Sequence, residues 1–223
     1  MKKLIAAVLL ASVATAAFAA DLPSRKAAPV PAPVYVPPAF TWTGLYVGIN
    51  GGYGWSNFRG AGGNVFADPS GGMIGGTVGY NYQIGQFVVG LEDNLDWTDL
   101  SNSRTLTGGV STKSRVNAFN TAFARAGVAF DRALFFAEGG LSSGDVKNQV
   151  TDPKLPGTIS QSGWENGYGI GGGVEYAFTN NISARADYVF SHLQDKTYFA
   201  GTPDVVKAGL NVSQIRGGLN YKF

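Results

Sequence analysis

The sequence contains no cysteine and a single histidine, His192. The first absence removes disulfides, thiolate nucleophiles, thiolate zinc sites and iron–sulfur ligation. The second removes any multi-histidine metal site, so no metal-ligating set is expected. Charged residues make up 14% of the chain, and they nearly cancel. Lys2 and Lys3 fall in an amino-terminal leader, which leaves 17 − 2 = 15 basic side chains against 15 acidic ones. With no net positive charge and no basic stripe, nucleic acid is not an expected partner, because phosphate binding rests on Lys and Arg clusters that release counterions. Long apolar runs are missing too. The stretch from Leu4 to Leu10 dissolves into Ala, Ser and Thr, short of the roughly 20 apolar residues a spanning helix needs.

What remains is rich in glycine, with 32 residues, and in aromatics, at 13%. Small residues suit a crowded interior, and Trp, Tyr and Phe suit the level where a protein wall meets lipid headgroups.

The amino terminus has the three parts of a secretory signal: Met1-Lys2-Lys3, the apolar Leu4 to Leu10, and Ala17-Phe18-Ala19 as a cleavage site. Residues 1–19 are therefore expected to be removed. Residues 20–41 carry Pro23, Pro29, Pro31, Pro33, Pro37 and Pro38, which block helix and strand alike and predict an extended periplasmic linker. It reads as a plain spacer, with contact to the cell wall as the sharper alternative.

From Trp42 onward the pattern has period two. Leu45, Val47, Ile49, Tyr53 and Trp55 share one face, and Gly48, Asn50, Gly52 and Gly54 the other. A second strand puts Ile74, Val78, Tyr80 and Tyr82 outward and Gly75, Thr77, Gly79 and Asn81 inward. After the Gln83–Gln86 turn, a third presents Phe87, Val89, Leu91, Leu95 and Trp97. The fourth spans about Arg115 to Phe130. Asp131-Arg132 turns the chain into a fifth, which runs to about Ser143. The sixth spans Tyr168 to Phe178, Thr179-Asn180-Asn181 is the next turn, the seventh runs from Ile182 to about Leu193, and the eighth ends at Phe223. Short turns alternate with longer polar segments near Ser56–Gly71, Thr98–Ser114, Gly144–Gly163 and Gln194–Val205.

Backbone amides in lipid must be paired internally, so dyad-patterned strands cross a bilayer only as a closed sheet. The expectation is an all-β, eight-stranded, antiparallel up-and-down transmembrane β-barrel spanning residues 42–223, with short periplasmic turns and longer extracellular loops. A soluble sandwich or lipocalin-like barrel would turn its apolar face inward. Here the other face carries charges and glycines.

That inward face holds Glu92, Asp96, Glu138, Glu175 and Asp187 against Arg125, Arg185, Arg216 and Lys222. In a barrel this narrow, side chains fill the interior, so the set is expected to form ion pairs that plug the lumen. The alternatives are a small-solute porin and a heme-binding receptor, the latter through His192 and Tyr198. Asp93 breaks the alternation, placing a carboxyl beside Leu91 and Leu95; either it lies near the interface or a bulge turns it. Gly167-Tyr168-Gly169-Ile170-Gly171-Gly172 satisfies a dinucleotide-binding pattern, but it lies inside a strand. With one histidine, no nucleophile–base–orienter set can be placed, and no enzyme activity is expected.

These residues resemble the small outer-membrane surface-antigen and porin-like proteins of Gram-negative bacteria, which share an OmpA-like barrel domain. The resemblance is carried by Ala20-Asp21-Leu22-Pro23, Trp42-Thr43-Gly44-Leu45-Tyr46-Val47-Gly48 and Gly90-Leu91-Glu92 with Trp97. It continues through Gly173-Val174-Glu175-Tyr176-Ala177-Phe178, Ala184-Arg185 with Tyr188, and Arg216 to Phe223. It implies a cell outer membrane location among outer-membrane lipids. It also implies delivery by periplasmic chaperones, insertion by the barrel-assembly machinery reading Leu219, Tyr221 and Phe223, and a role in envelope integrity or as a surface antigen. Some relatives are described as heme-binding or porin-like. Two departures stand out: Phe123, where the resemblance implies an arginine, and Asp93, where it implies a small residue.

Overall fold

The computed structural model describes residues 39–60, 65–151, 153, 157–198 and 206–223, apart from the side chains of Tyr198 and Val206. The expected signal peptide, nearly all of the linker and the Tyr198 side chain lie outside them. Residues 39–223 form one unit.

Eight strands follow in order: β1 (Gly44–Gly60), β2 (Ser70–Ile84), β3 (Phe87–Thr105), β4 (Ser111–Phe130), β5 (Ala133–Thr151), β6 (Thr158–Ala177), β7 (Ile182–Tyr198) and β8 (Val206–Lys222). Each pairs antiparallel with its neighbours, and β1 closes on β8 from Tyr46↔Lys222 to Gly60↔Ala208. Closure leaves no strand edge, the condition for placing sheet in lipid.

The dyad reading translates directly into the wall. Ile49, Ile74, Leu91, Trp97, Leu141 and Ile170 are among its outward, well-exposed side chains, while alternate positions such as Asn50, Thr77, Glu92 and Ser142 are buried inside. Aromatics gather towards both ends: Tyr82, Phe87, Phe130, Tyr176 and Phe223 near the short turns, Tyr53, Trp55, Trp97, Trp164 and Tyr168 towards the other rim. The tight turns rest on left-handed backbone at Gly85 (φ 61°) and Asp131 (φ 53°). At Asp131 the main-chain carbonyl accepts a hydrogen bond from Trp42 Nε1 at 3.2 Å.

Two expectations are corrected. Strand one begins at Gly44 rather than Trp42. Trp42 instead folds across the short-turn rim and is buried with Val88, Ala129, Leu134, Phe136 and Ala177, with Phe40 packed against the group. Two of the four polar segments expected as long loops, Thr98–Ser114 and Gly144–Gly163, are largely strand. β3 continues to Thr105 and β4 starts at Ser111, while β5 and β6 extend to Thr151 and from Thr158. Above the lipid the outward face of these ladders is polar, so the outward apolar half of the alternation vanishes while the backbone pairing persists, and the inward face keeps only scattered apolar side chains such as Leu100, Val116 and Val146. Register shifts at Trp97/Leu100, Val116/Ala118 and Leu193/Lys196 fall near the start of these extensions, a usual place for bulges in barrels.

Candidate functional site: the closed lumen

The lumen is filled in three tiers. At the short-turn rim lies the Trp42 cluster. At the opposite rim Phe58, Leu100, Val116, Phe119, Leu193 and Leu210 form part of a second apolar cluster, joined by Phe66 from the β1–β2 connection. Phe66 is 1% exposed, and its ring stacks obliquely on Phe58 at 5.0 Å. The connection is tied down by Thr112 Oγ1 donating to the Val65 carbonyl at 2.8 Å and by Phe58 N donating to Asp68 Oδ1 at 2.9 Å.

Between the two tiers runs an ion-pair network. Arg125 Nη1 lies 3.2 Å from Glu92 Oε2, and its Nη2 lies 3.0 Å from Glu175 Oε2. Arg185 Nη1 also pairs with Glu92, at 2.5 Å, and its Nε pairs with Asp187 Oδ1 at 2.9 Å. Arg216 reaches Asp187 at 2.8 Å, Glu138 at 3.4 Å and Asp96 at 3.6 Å. All of these side chains are at most 3% exposed. Arg125 also lies over the Phe136 ring, 4.0 Å from its centroid, a cation–π contact that favours the guanidinium in a dry setting. Charges withdrawn from water are costly unless each finds partners. Here every guanidinium touches at least two acids.

One expected member is elsewhere. Lys222 donates to the Thr41 carbonyl and sits 4.7 Å from the Phe40 ring centroid, at the rim. Glu175, which lines the same rim pocket as Lys222, is already met by Arg125, by Ser183 Oγ at 2.6 Å and by Asn220 Nδ2 at 2.8 Å. The centre thus sets Glu92, Asp96, Glu138, Glu175 and Asp187 against Arg125, Arg185 and Arg216.

Sequence reasoning missed the neutral members. Tyr46 donates to Glu92 Oε2 at 2.5 Å and accepts from Arg125 Nη1 at 3.0 Å. Asn94 donates to Glu92 Oε1 at 2.9 Å, and a chain of Asn50, Thr77 and Asn94 crosses β1, β2 and β3. The available signal was parity: Tyr46 is the one aromatic among the glycines and Asn50 on the inward face of the first half of β1.

Phe123, in place of the implied arginine, is inward and 2% exposed. Its ring occupies the space left by two glycines: a Cβ on Gly169 would stand 2.7 Å from Phe123 Cζ, and one on Gly140 3.2 Å from its Cδ1. The Gly167–Gly172 motif therefore lies within β6 and serves close packing. Asp93 stays outward. β3 runs on to Thr105 and its bulge lies beyond Asp93, so no bulge turns the carboxyl inward. The Asn120 amide meets it instead, at 3.1 and 3.3 Å. His192 belongs to the outer wall, its ring stacked on Tyr168 at 5.0 Å and 24°. Leu219, Tyr221 and Phe223 are exposed on the outer wall of β8 and just beyond it.

A closed eight-stranded barrel with an apolar wall, aromatic belts and a side-chain-filled lumen defines an integral outer-membrane protein. Residues 5–223 match the outer membrane protein beta-barrel domain, and the chain belongs to that family. It is 32% identical over 249 residues to the 31 kDa outer-membrane immunogenic protein of Brucella melitensis, covering all of both chains. It is 33% identical over 194 residues to the 22 kDa outer membrane protein of Rhizobium leguminosarum, covering 84% of this chain and 81% of that one. Among solved structures, Ail, the attachment invasion locus protein of Yersinia pestis, matches 81% of this chain and 99% of its own at TM-score 0.46 and 15% identity. Both sequence relatives are named outer-membrane proteins, and this protein resides in the outer membrane with its wall in lipid.

Proposed function

We propose that this barrel is a non-conducting, non-enzymatic anchor that works without a cofactor: it holds the envelope's outer layer and presents its outer rim at the cell surface. The observation that carries this is the three-tier filling of the lumen, with the Arg125, Arg185 and Arg216 network sealed between two apolar clusters. A solute path would have to break buried ion pairs and displace Phe66 and Phe119 at one rim and Trp42 at the other. Liposome swelling tests the reading: vesicles carrying the folded protein are expected to swell in small sugars no faster than empty vesicles, and porin-like swelling would defeat it.

In the same reading, the lipid-facing row Leu219, Tyr221 and Phe223 is what the barrel-assembly machinery recognises. Replacing all three by serine is expected to lower outer-membrane levels while leaving synthesis unchanged. Normal levels would remove that role.

A further inference from the structure

The outer flank of β4 and β5 carries an unbalanced basic cluster. Lys113 and Arg115 on β4 and Lys147 on β5 point away from the lumen and, with Gln149, line one shallow groove. Arg115 stands directly opposite Lys147 in the ladder, and Lys113 opposite Gln149. Like charges directly opposed across strands are destabilising, and among the described residues none of the three forms an ion pair. The residues directly opposite on the flanking strands are neutral: Arg115 and Lys113 pair with Ser101 and Ser103 on β3, Lys147 and Gln149 with Ser162 and Ser160 on β6, and the nearest acid in the β3 ladder is the exposed Asp99, two positions before Ser101. Asp145, two positions before Lys147 on the same face of β5, accepts a hydrogen bond from Asn117 at 3.0 Å.

Depth fixes what such a cluster meets. Trp97 and Trp164, both strongly exposed on the wall, pair with Ala118 and Asp145. Arg115 and Lys147 stand one same-face step further out, about 5 Å at the rise and tilt of barrel strands. Lys113 stands about 10 Å out. Arg115 and Lys147 thus stand in the headgroup layer, which is roughly 5 to 8 Å thick on each side of the hydrocarbon, and Lys113 stands just above it. The groove continues, through Lys113 and Gln149, into a second one lined by hydroxyls of Ser103, Ser111, Thr151 and Thr158.

We propose that this flank binds the phosphorylated headgroup of an outer-leaflet glycolipid. A phosphate bridges Arg115 and Lys147, Lys113 takes a second anionic group, and the hydroxyl-lined groove accepts sugar hydroxyls. The phosphate turns the repulsive Arg115–Lys147 pair into two charge-assisted contacts, and the acyl chains lie below against the apolar wall.

The test uses the folded full chain in zwitterionic micelles, titrated with bisphosphorylated lipid A and read by tryptophan fluorescence. The triple variant Lys113→Gln/Arg115→Gln/Lys147→Gln is expected to bind roughly tenfold or more weakly. The charge-preserving Arg115→Lys/Lys147→Arg variant is expected to keep most of the affinity. Heat-dependent electrophoretic mobility verifies that each variant is folded. Without lipid, Lys147→Gln is expected to unfold no earlier than wild type, because it relieves repulsion. Dephosphorylated lipid A is expected to bind wild type and triple variant alike and weakly, and inorganic phosphate to compete poorly. Undiminished lipid A binding by the triple variant, or displacement by inorganic phosphate at equal concentration, would overturn the proposal.

Discussion

The Tyr46 hydroxyl sits inside the ion pair of Arg125 and Glu92, accepting from the first at 3.0 Å and donating to the second at 2.5 Å. One phenol from β1 thereby ties together charges on β3 and β4, across the lumen from its own strand. Hydrogen bonds to charged groups contribute about 1.5 to 3 kcal/mol, whereas removing one member of a buried ion pair costs about 3 to 5 kcal/mol. Tyr46→Phe is therefore expected to lower the unfolding free energy less than Arg125→Met, measured by urea titration of the folded barrel in vesicles. Equal losses would mean that the phenol is as important as the charge.

Gly79 faces the same phenol. A Cβ there would overlap the Tyr46 ring at Cζ and the hydroxyl, so Gly79→Ala must push the ring out of the ion pair. The expected cost is about 1 to 3 kcal/mol, typical of overpacking. The effect should be non-additive with Tyr46→Ala, which removes the nearer obstacle and leaves only the Leu91 carbonyl, 2.9 Å from such a Cβ. Additive losses in the double variant would show that the two positions do not compete for that space.

Asp93 is an acid on a lipid-facing wall, and its partner does not depend on it: Asn120 Nδ2 also donates to the Asn94 carbonyl at 3.0 Å. Asp93→Leu is thus expected to leave no orphaned amide and to stabilise the barrel by about 1 kcal/mol, since an acid on the lipid face is mildly unfavourable. Urea unfolding in phosphatidylcholine vesicles measures it, and a clear loss of stability would assign the Asp93–Asn120 pair a structural role.

How much of this was legible beforehand depends on what the two faces of a strand contain. Where one face meets lipid and the other a crowded lumen, as at Leu45 to Trp55 or Phe87 to Trp97, period two reads directly as strand and gives the facing of each residue. Where both faces are polar, as from Ser101 to Thr105 and Ser111 to Ser114, the signal disappears although the ladder continues. The acids and arginines of the centre could be named from parity alone. Their partners could not, because pairing across a barrel depends on shear and on competing neutral donors. Lys222 shows this, since Ser183 and Asn220 occupy the positions on Glu175. The apolar tiers were illegible for a related reason: Trp42 and Phe66 are set in short non-strand segments that fold over the rims, and no periodicity marks them.

The central claim is that the lumen is closed, and single-channel recording in planar bilayers measures it most directly. The wild-type protein is expected to give no stable open steps, while a Phe119→Ala/Phe123→Ala/Arg125→Ala variant that retains heat-dependent mobility gives ion conductance. Persistent nanosiemens steps from the wild-type protein would contradict the account.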